Sequence, residues 1–176
     1  MKRNTFTGLA ALGALLCILA VSCKAPTPPS VIKAFPLDSA DGVITKDNVA
    51  FDPAVSADGK GSLKITAAGP TLTVQLFEVP NPGVDNAAVT YQAKVKTEKF
   101  QGKAYLEMWC RLPGKGEFFS RGLASPILGN VDWTSLETPF FLKKGEAPDL
   151  IKLNLVIEGT GTVWIDDVKL SKGPLK

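Results

Sequence analysis

The chain is dominated by short runs in which apolar and polar residues alternate one by one. Between Val89 and Val95 the odd positions are apolar, and the even positions are polar or charged. Because successive side chains of a strand point to opposite faces, this pattern is typical of antiparallel sheets with one buried and one wetter face. Turn sequences rich in glycine and proline separate eight candidate strands, at residues 62–66, 71–79, 87–97, 104–112, 117–123, 133–142, 150–158 and 161–170. We therefore expect an all-β fold, an antiparallel two-sheet β-sandwich.

The N-terminus has the pattern of an export signal. Lys2 and Arg3 precede the apolar run 8–21, and small residues follow it. This run is shorter than the roughly 20 apolar residues of a spanning helix, which favours a cleaved signal peptide over residues 1–22.

The end of that signal, Ala20-Val21-Ser22-Cys23, resembles the lipobox of bacterial lipoproteins. The resemblance implies that Cys23 becomes the first residue of the mature chain, with a diacylglycerol on its sulfur and a further acyl chain, such as palmitate, on its amine. Acyl chains hold a protein at the lipid bilayer without a transmembrane helix. Lys24, where an aspartate would favour inner-membrane retention, resembles the outer-membrane sorting pattern. The alternative is a soluble exported protein with an incidental cysteine.

The remaining chain predicts one domain. Residues 23–33 combine the acylated cysteine with a proline-rich linker, which favours extended conformations and spaces the domain from the membrane. The folded domain is expected over residues 34–172, followed by a short tail at 173–176. A domain of this length can bury a hydrophobic core that is stable without disulfides or a bound metal.

Composition excludes several classes of function. The chain has no histidine, which removes the common serine triad, Cys-His catalysis and the usual zinc sites. Its small net charge of +3 argues against a nucleic-acid partner. A glycosidase needs only two carboxylates, but no second acid is singled out opposite Glu107. Cys110, on the apolar face of its strand, is expected to be a buried hydrophobe. We therefore expect that this protein is not an enzyme.

The segment AYLEMWCRL, residues 104–112, carries the best indication of a ligand. Its second face presents Tyr105, Glu107, Trp109 and Arg111. This mixture of aromatic rings with charged groups offers a ligand both stacking and hydrogen bonding, so it predicts a binding site. Polar residues of other strands extend it if those strands are neighbours; they are Gln92 and Asn154, with Gln75 and Lys152. The alternative is a structural strip in which Glu107 and Arg111 pair across a partly buried Trp109.

The order of motifs along the chain resembles the galactose-binding-like jelly-roll superfamily, which includes many bacterial carbohydrate-binding modules. These motifs are FPLDSADGV (35–43), SADGKGSLKI (56–65), WTSLETPFFL (133–142) and GTGTVWIDDVKL (159–170). The same order is similar to that of an uncharacterised family of bacterial lipoproteins. The resemblance implies a jelly-roll sandwich with a ligand on a concave sheet face or at the loop tips.

The resemblance also implies a structural calcium ion that ties the first and last strands together. Asp166 matches the acidic position of the closing strand, and Asp38, Asp41 and Asp58 are its candidate partners by chain order. Calcium takes six to eight hard oxygen ligands, which carboxylates and backbone carbonyls supply. The alternative is that Asp166 and Asp167 satisfy backbone amides at a strand end or bulge.

Together these features predict a lipid-anchored, non-catalytic module of the cell envelope. Its ligand is expected to be a glycan or another envelope component. A different function fits the same face, because hot spots at protein interfaces also favour tryptophan, tyrosine and arginine. The alternative function is therefore a structural or assembly protein that docks an envelope protein.

Overall fold

The computed structural model describes residues 28–175. The predicted signal peptide and Cys23 lie outside this range. All strand pairings are antiparallel. The eight strands are β1 (Ser30–Phe35), β2 (Val49–Asp52), β3 (Ser62–Pro80), β4 (Ala87–Leu112), β5 (Gly116–Arg121), β6 (Ile127–Leu128), β7 (Thr134–Leu142) and β8 (Leu150–Gly173). The predicted all-β antiparallel fold is confirmed. The described residues include no helix long and apolar enough to cross a membrane.

Three long strands run through both sheets of the sandwich. β8 lies between β3 and β4 over residues 150–165, and β1 takes the place of β3 beside it over residues 168–172. β4 pairs with β7 over residues 87–95 and with β6 and β5 over residues 103–112, so one strand serves both sheets. Six of the eight predicted segments are therefore halves of β3, β4 and β8.

Glycines allow β4 and β8 to continue where the sequence predicts turns. Gly102 and Gly159 face each other across the ladder, with φ angles of 149° and 135°. A Cβ atom on Gly102 would collide with the backbone carbonyl oxygen of Glu158. Only glycine combines this backbone conformation with so close an approach of two chains.

The core lies between the two sheets and follows the predicted alternation. In β4 the apolar face of the 104–112 segment is fully buried up to Cys110, and Leu112 is 5% exposed. Each fully buried Leu or Met contributes roughly 1.5–3 kcal/mol relative to an exposed one. The odd positions from Val89 to Val95 and from Ile151 to Ile157 are buried in the same cluster.

β1 begins the folded unit earlier than the sequence predicts. Ser30 pairs with Lys172 and Ala34 pairs with Lys169 of β8, and Ile32 and Phe35 pack against the core. The strand starts inside the proline-rich stretch that we expected to be linker, because the prolines end at Pro29 and leave the following amides free for a ladder. The whole sandwich is contained between residues 28 and 175.

Candidate functional site

The outer face of the 104–112 segment gathers most of the predicted ligand residues. Glu107 pairs in register with Arg121 of β5 and with Asn154 of β8. Trp109 pairs with Phe119 and Lys152 on the same two neighbours. The polar faces of β4, β5 and β8 therefore form one surface, as the prediction required.

Glu107 is the centre of a buried hydrogen-bond network on that surface. Only 4% of the residue is exposed. Its Oε1 accepts from Trp109 Nε1 at 2.7 Å and from Asn154 Nδ2 at 3.1 Å, and its Oε2 accepts from Arg121 Nε at 2.6 Å. Burial alone would raise the pKa of Glu107, but these hydrogen bonds outweigh it and hold the pKa below its usual value. The carboxylate is charged and positions Trp109 and Arg121.

Tyr105 is also buried, at 4% exposure. Its hydroxyl donates to Glu158 Oε1 at 2.9 Å, and Lys103 Nζ lies 3.0 Å from Glu158 Oε2. Burial raises the pKa of the Tyr105 hydroxyl, and the hydrogen bond to the Glu158 carboxylate raises it further. Tyr105 therefore supports the sheet surface rather than presenting a free ring to a ligand.

The accessible aromatic surface is the pair of Trp109 and Phe119. Their ring centroids are 5.0 Å apart at an interplanar angle of 47°. Phe119 is 51% exposed, and Trp109 is half-buried. The guanidinium carbon of Arg121 lies 4.5 Å from the Phe119 ring centroid, a cation–π distance. We call Trp109, Phe119 and Arg121 the aromatic platform.

Phe119 and Arg121 were not among the predicted ligand residues. The sequence signal for them was the hairpin turn at residues 113–115, which fixes the register of β5 against β4. Alternation across that turn places Phe119 opposite Trp109 and Arg121 opposite Glu107.

Arg111 lies at the rim of the platform. Its Nε donates to Asp149 Oδ1 at 2.7 Å, so the alternative pairing of Glu107 with Arg111 does not form. Lys152 Nζ donates to Glu117 Oε1 at 2.8 Å on the other side. These exposed ion pairs leave the rim close to neutral and rich in hydrogen-bonding groups.

Gln92 lies in the other half of β4, where it pairs with Glu137 and Lys169. Its Nε2 donates to Glu137 Oε2 at 3.0 Å. The two residues line a surface cleft of about 480 Å³ that Arg121 also lines. Gln92 is thus separate from Glu107 in the sheet but shares Arg121 as a neighbour.

The aspartates predicted to bind calcium have other partners. Asp166 is fully buried, and its carboxylate accepts from the amides of Ala57 at 2.9 Å and Asp167 at 2.8 Å. Burial raises the pKa of Asp166 despite these two hydrogen bonds. Asp38 lies 3.7 Å from Lys60 Nζ, and Asp41 accepts from the Ser39 hydroxyl.

Residues 28–175 contain no group of three or more acidic, cysteine or histidine side chains arranged to hold a metal ion. The Asp166 geometry is that of a carboxylate serving backbone amides, the alternative reading of the sequence. Calcium binding stays a prediction.

Cys110 is buried in the core, as its position on the apolar face predicts. Burial raises the pKa of its thiol to about 12. A buried, protonated thiol is a weak nucleophile.

Comparison with solved structures identifies the architecture. No protein-family model matches the chain, and no curated protein matches it. The fold is shared with carbohydrate-binding modules. The CBM22-1 xylan-binding domain of Paenibacillus barcinonensis Xyn10C aligns over 86% of this chain and 100% of its own, with 14% identity and a TM-score of 0.56. A family 16 carbohydrate-binding module aligns over 76% of this chain and 92% of its own, with 14% identity and a TM-score of 0.53.

The same fold also occurs in an enzyme. The Stig cyclase Fisc from Fischerella sp. TAU aligns over 81% of this chain and 86% of its own, with 12% identity and a TM-score of 0.51. Identities this low establish the fold alone, and the function must be argued from the site.

Proposed function

We propose that this protein binds a glycan without catalysis, through the aromatic platform of Trp109, Phe119 and Arg121. The observation that carries the proposal is the pair of tilted rings, an exposed Phe119 and a half-buried Trp109, beside a guanidinium. A sugar ring offers C–H groups to aromatic faces and hydroxyls to charged donors, so both halves of its surface find a partner here. The fold shared with carbohydrate-binding modules supports the same function.

The platform is held in place before any ligand arrives. Glu107 fixes the indole of Trp109 and the guanidinium of Arg121 through hydrogen bonds of 2.7 and 2.6 Å. Only Nε of Arg121 is used in that pair, which leaves its terminal nitrogens for ligand hydroxyls. Rigid side chains lose little entropy on binding, which favours affinity. Glu117 and Lys152 at the rim offer further hydrogen bonds.

The absence of catalysis is part of the proposal. Glu107 is saturated with donors, so it is a poor general acid or nucleophile. The chain has no histidine to take that role.

We place this glycan-binding domain at the cell envelope, attached through an acylated Cys23. The lipobox-like sequence supports this attachment, and the proline-containing segment before Ser30 supplies a tether. Lys24 favours the outer membrane. Palmitate labelling of the wild-type chain and of Cys23→Ala tests the anchor: the label is expected on the wild type alone, and an unlabelled wild type contradicts it.

A glycan array tests the site. Residues 28–176 contain all eight strands and the core, and they are compared with the variants Phe119→Ala, Trp109→Ala and Trp133→Ala. Loss of one stacking ring is expected to weaken glycan binding about fivefold, since aromatic contacts of this kind contribute on the order of 1 kcal/mol. Phe119→Ala leaves the Glu107 hydrogen bonds intact, and Trp133→Ala removes a ring elsewhere as the control.

Equal binding by the wild type and the two platform variants would reject the site. No binding of any glycan would reject the function. Capture of a purified envelope protein through the same face would then favour the docking alternative.

A further inference from the structure

β5 is an edge strand that carries exposed apolar surface. Among the described residues it pairs with β4 on one side only. Phe118 is 44% exposed and Phe119 is 51% exposed, and they project from opposite faces of the strand. Exposed edge strands are templates for pairing with another chain.

The phase of the β4–β5 ladder shows which backbone groups point away from the sheet. The Gly122 amide donates to the Leu106 carbonyl at 2.9 Å. Bonded and non-bonded pairs alternate along an antiparallel ladder, so Phe118 and Ser120 also bond to β4. Glu117, Phe119 and Arg121 then direct their amide and carbonyl groups outward. Within residues 28–175, Glu117 and Phe119 have no backbone partner on that side.

The sequence of β5 is complementary to itself about Phe119. Residues 117–121 read Glu-Phe-Phe-Ser-Arg. We propose that β5 pairs with β5 of a second copy of this chain, antiparallel and centred on Phe119, to form a two-fold symmetric dimer. In this register Glu117 of each copy lies opposite Arg121 of the other, and Phe119 lies opposite its own equivalent. Opposite charges across a strand pair are stabilising.

The two charged groups have bonding capacity left for this contact. Arg121 gives only its Nε to Glu107, and Glu117 uses only Oε1, toward Lys152. One terminal guanidinium nitrogen of Arg121 and the second carboxylate oxygen of Glu117 can meet across the dimer axis, which leaves the other terminal nitrogen of Arg121 for a ligand. The charges also select the register, because a slip of two residues in one direction places Lys115 opposite Arg121.

The dimer extends the sheet and leaves the platform open. The outward backbone groups of β5 gain partners at an isologous interface, as two-fold symmetry requires. Because Phe119 and Trp109 are neighbours, the dimer joins the aromatic platforms of two copies into one continuous strip. This pairing does not depend on glycan binding.

Sedimentation equilibrium of residues 28–176 tests the dimer at concentrations up to roughly 1 mM, the limit for weak association. The wild type is expected to associate to a dimer. Glu117→Arg replaces two attractive pairs by two repulsive ones, and it is expected to weaken the dimer about tenfold. Glu98→Arg makes the same charge change at another exposed strand position and is expected to dimerise like the wild type. A monomeric wild type, or equal dimerisation of Glu117→Arg, overturns the proposal.

Disulfide formation tests the register. Directly opposed residues of a bonded antiparallel pair have Cα atoms about 5.5 Å apart, which is within the range of a disulfide. Under mild oxidation Phe119→Cys is expected to form a covalent dimer at least about tenfold faster than Leu128→Cys, an exposed control away from β5. Equal rates for the two variants contradict pairing centred on Phe119. Neither experiment involves a glycan. A negative result would therefore overturn the dimer without bearing on glycan binding, which the glycan array tests separately.

Discussion

Two arginines on the outer face of the sheet provide a matched test of why Glu107 matters. Arg121 Nε lies 2.6 Å from Glu107, and Arg111 Nε lies 2.7 Å from Asp149. The pairs differ in the burial of the acid: the Glu107 side chain is 6% exposed, and the Asp149 side chain is 37% exposed. Replacing each arginine by methionine removes the charge and keeps most of the aliphatic volume.

We expect Arg121→Met to lose more stability than Arg111→Met. When the arginine is removed, water can solvate the exposed carboxylate of Asp149 but has little access to the buried carboxylate of Glu107. Breaking a fully buried ion pair costs about 3–5 kcal/mol. The Arg121 side chain is itself 40% exposed, and Trp109 and Asn154 still donate to Glu107, so we expect about 2 kcal/mol for Arg121→Met. This corresponds to a fall in Tm of roughly 4–8 °C for a domain of this size. For Arg111→Met we expect no resolvable change.

The Arg121 effect should depend on pH. The folded-state pKa of Glu107 is below the reference value of 4.5, so its charge stabilises the fold above that pH. This contribution is lost as the pH falls through the folded-state pKa. The gap between the wild type and Arg121→Met is therefore widest near pH 7 and narrows below pH 4.5.

Urea denaturation followed by far-UV circular dichroism measures these differences, and an unchanged m-value checks that the same surface unfolds. Equal losses for the two variants would refute the argument from burial. A gap for Arg121→Met that is the same at pH 7 and pH 3.5 would refute the role assigned to the Glu107 charge.

Three further predictions concern other parts of the sandwich. Gly102→Ala is expected to lower the free energy of unfolding by about 3 kcal/mol or more, because the new Cβ atom strains and clashes with the backbone. Gly69→Ala is expected to change that free energy by less than about 0.5 kcal/mol, and chemical denaturation measures both values. Cys110, the sole cysteine of residues 28–176, is expected to resist a thiol reagent at pH 8 until the domain unfolds, and rapid labelling of folded protein would contradict its burial. Calcium binding at Asp166 predicts that a chelator lowers the Tm of the wild type but not of Asp166→Asn, and an unchanged wild-type Tm removes calcium from consideration.

Local sequence patterns predicted the fold class and the core because both depend on alternation within one strand. Val89 and Ile157 lie inward in the structure as their parity requires. The same patterns misplaced the boundaries of strands. Gly102 and Gly159 lie in segments whose glycines are typical of turns. Only the pairing of the two residues with each other shows that β4 and β8 both continue as strands.

Only part of the site was predicted, because its residues come from three different strands. The outward face of β4 gave Glu107 and Trp109, but exposure depends on neighbours that a single strand does not specify. Glu107 is covered because Arg121 and Asn154 are its register partners. Arg111, two residues along the same face, meets Asp149 at the rim instead.

The continuity of β3, β4 and β8 has a consequence for how the domain opens. The two sheets share these strands, so one sheet cannot separate from its neighbour without breaking ladders that also hold the other. Amide hydrogens in the central strands of both sheets should therefore exchange through a single global unfolding event, with one common protection free energy. Pairs such as Ser30 with Lys172 join opposite ends of the domain, and such non-local contacts place folding in the range of milliseconds to seconds.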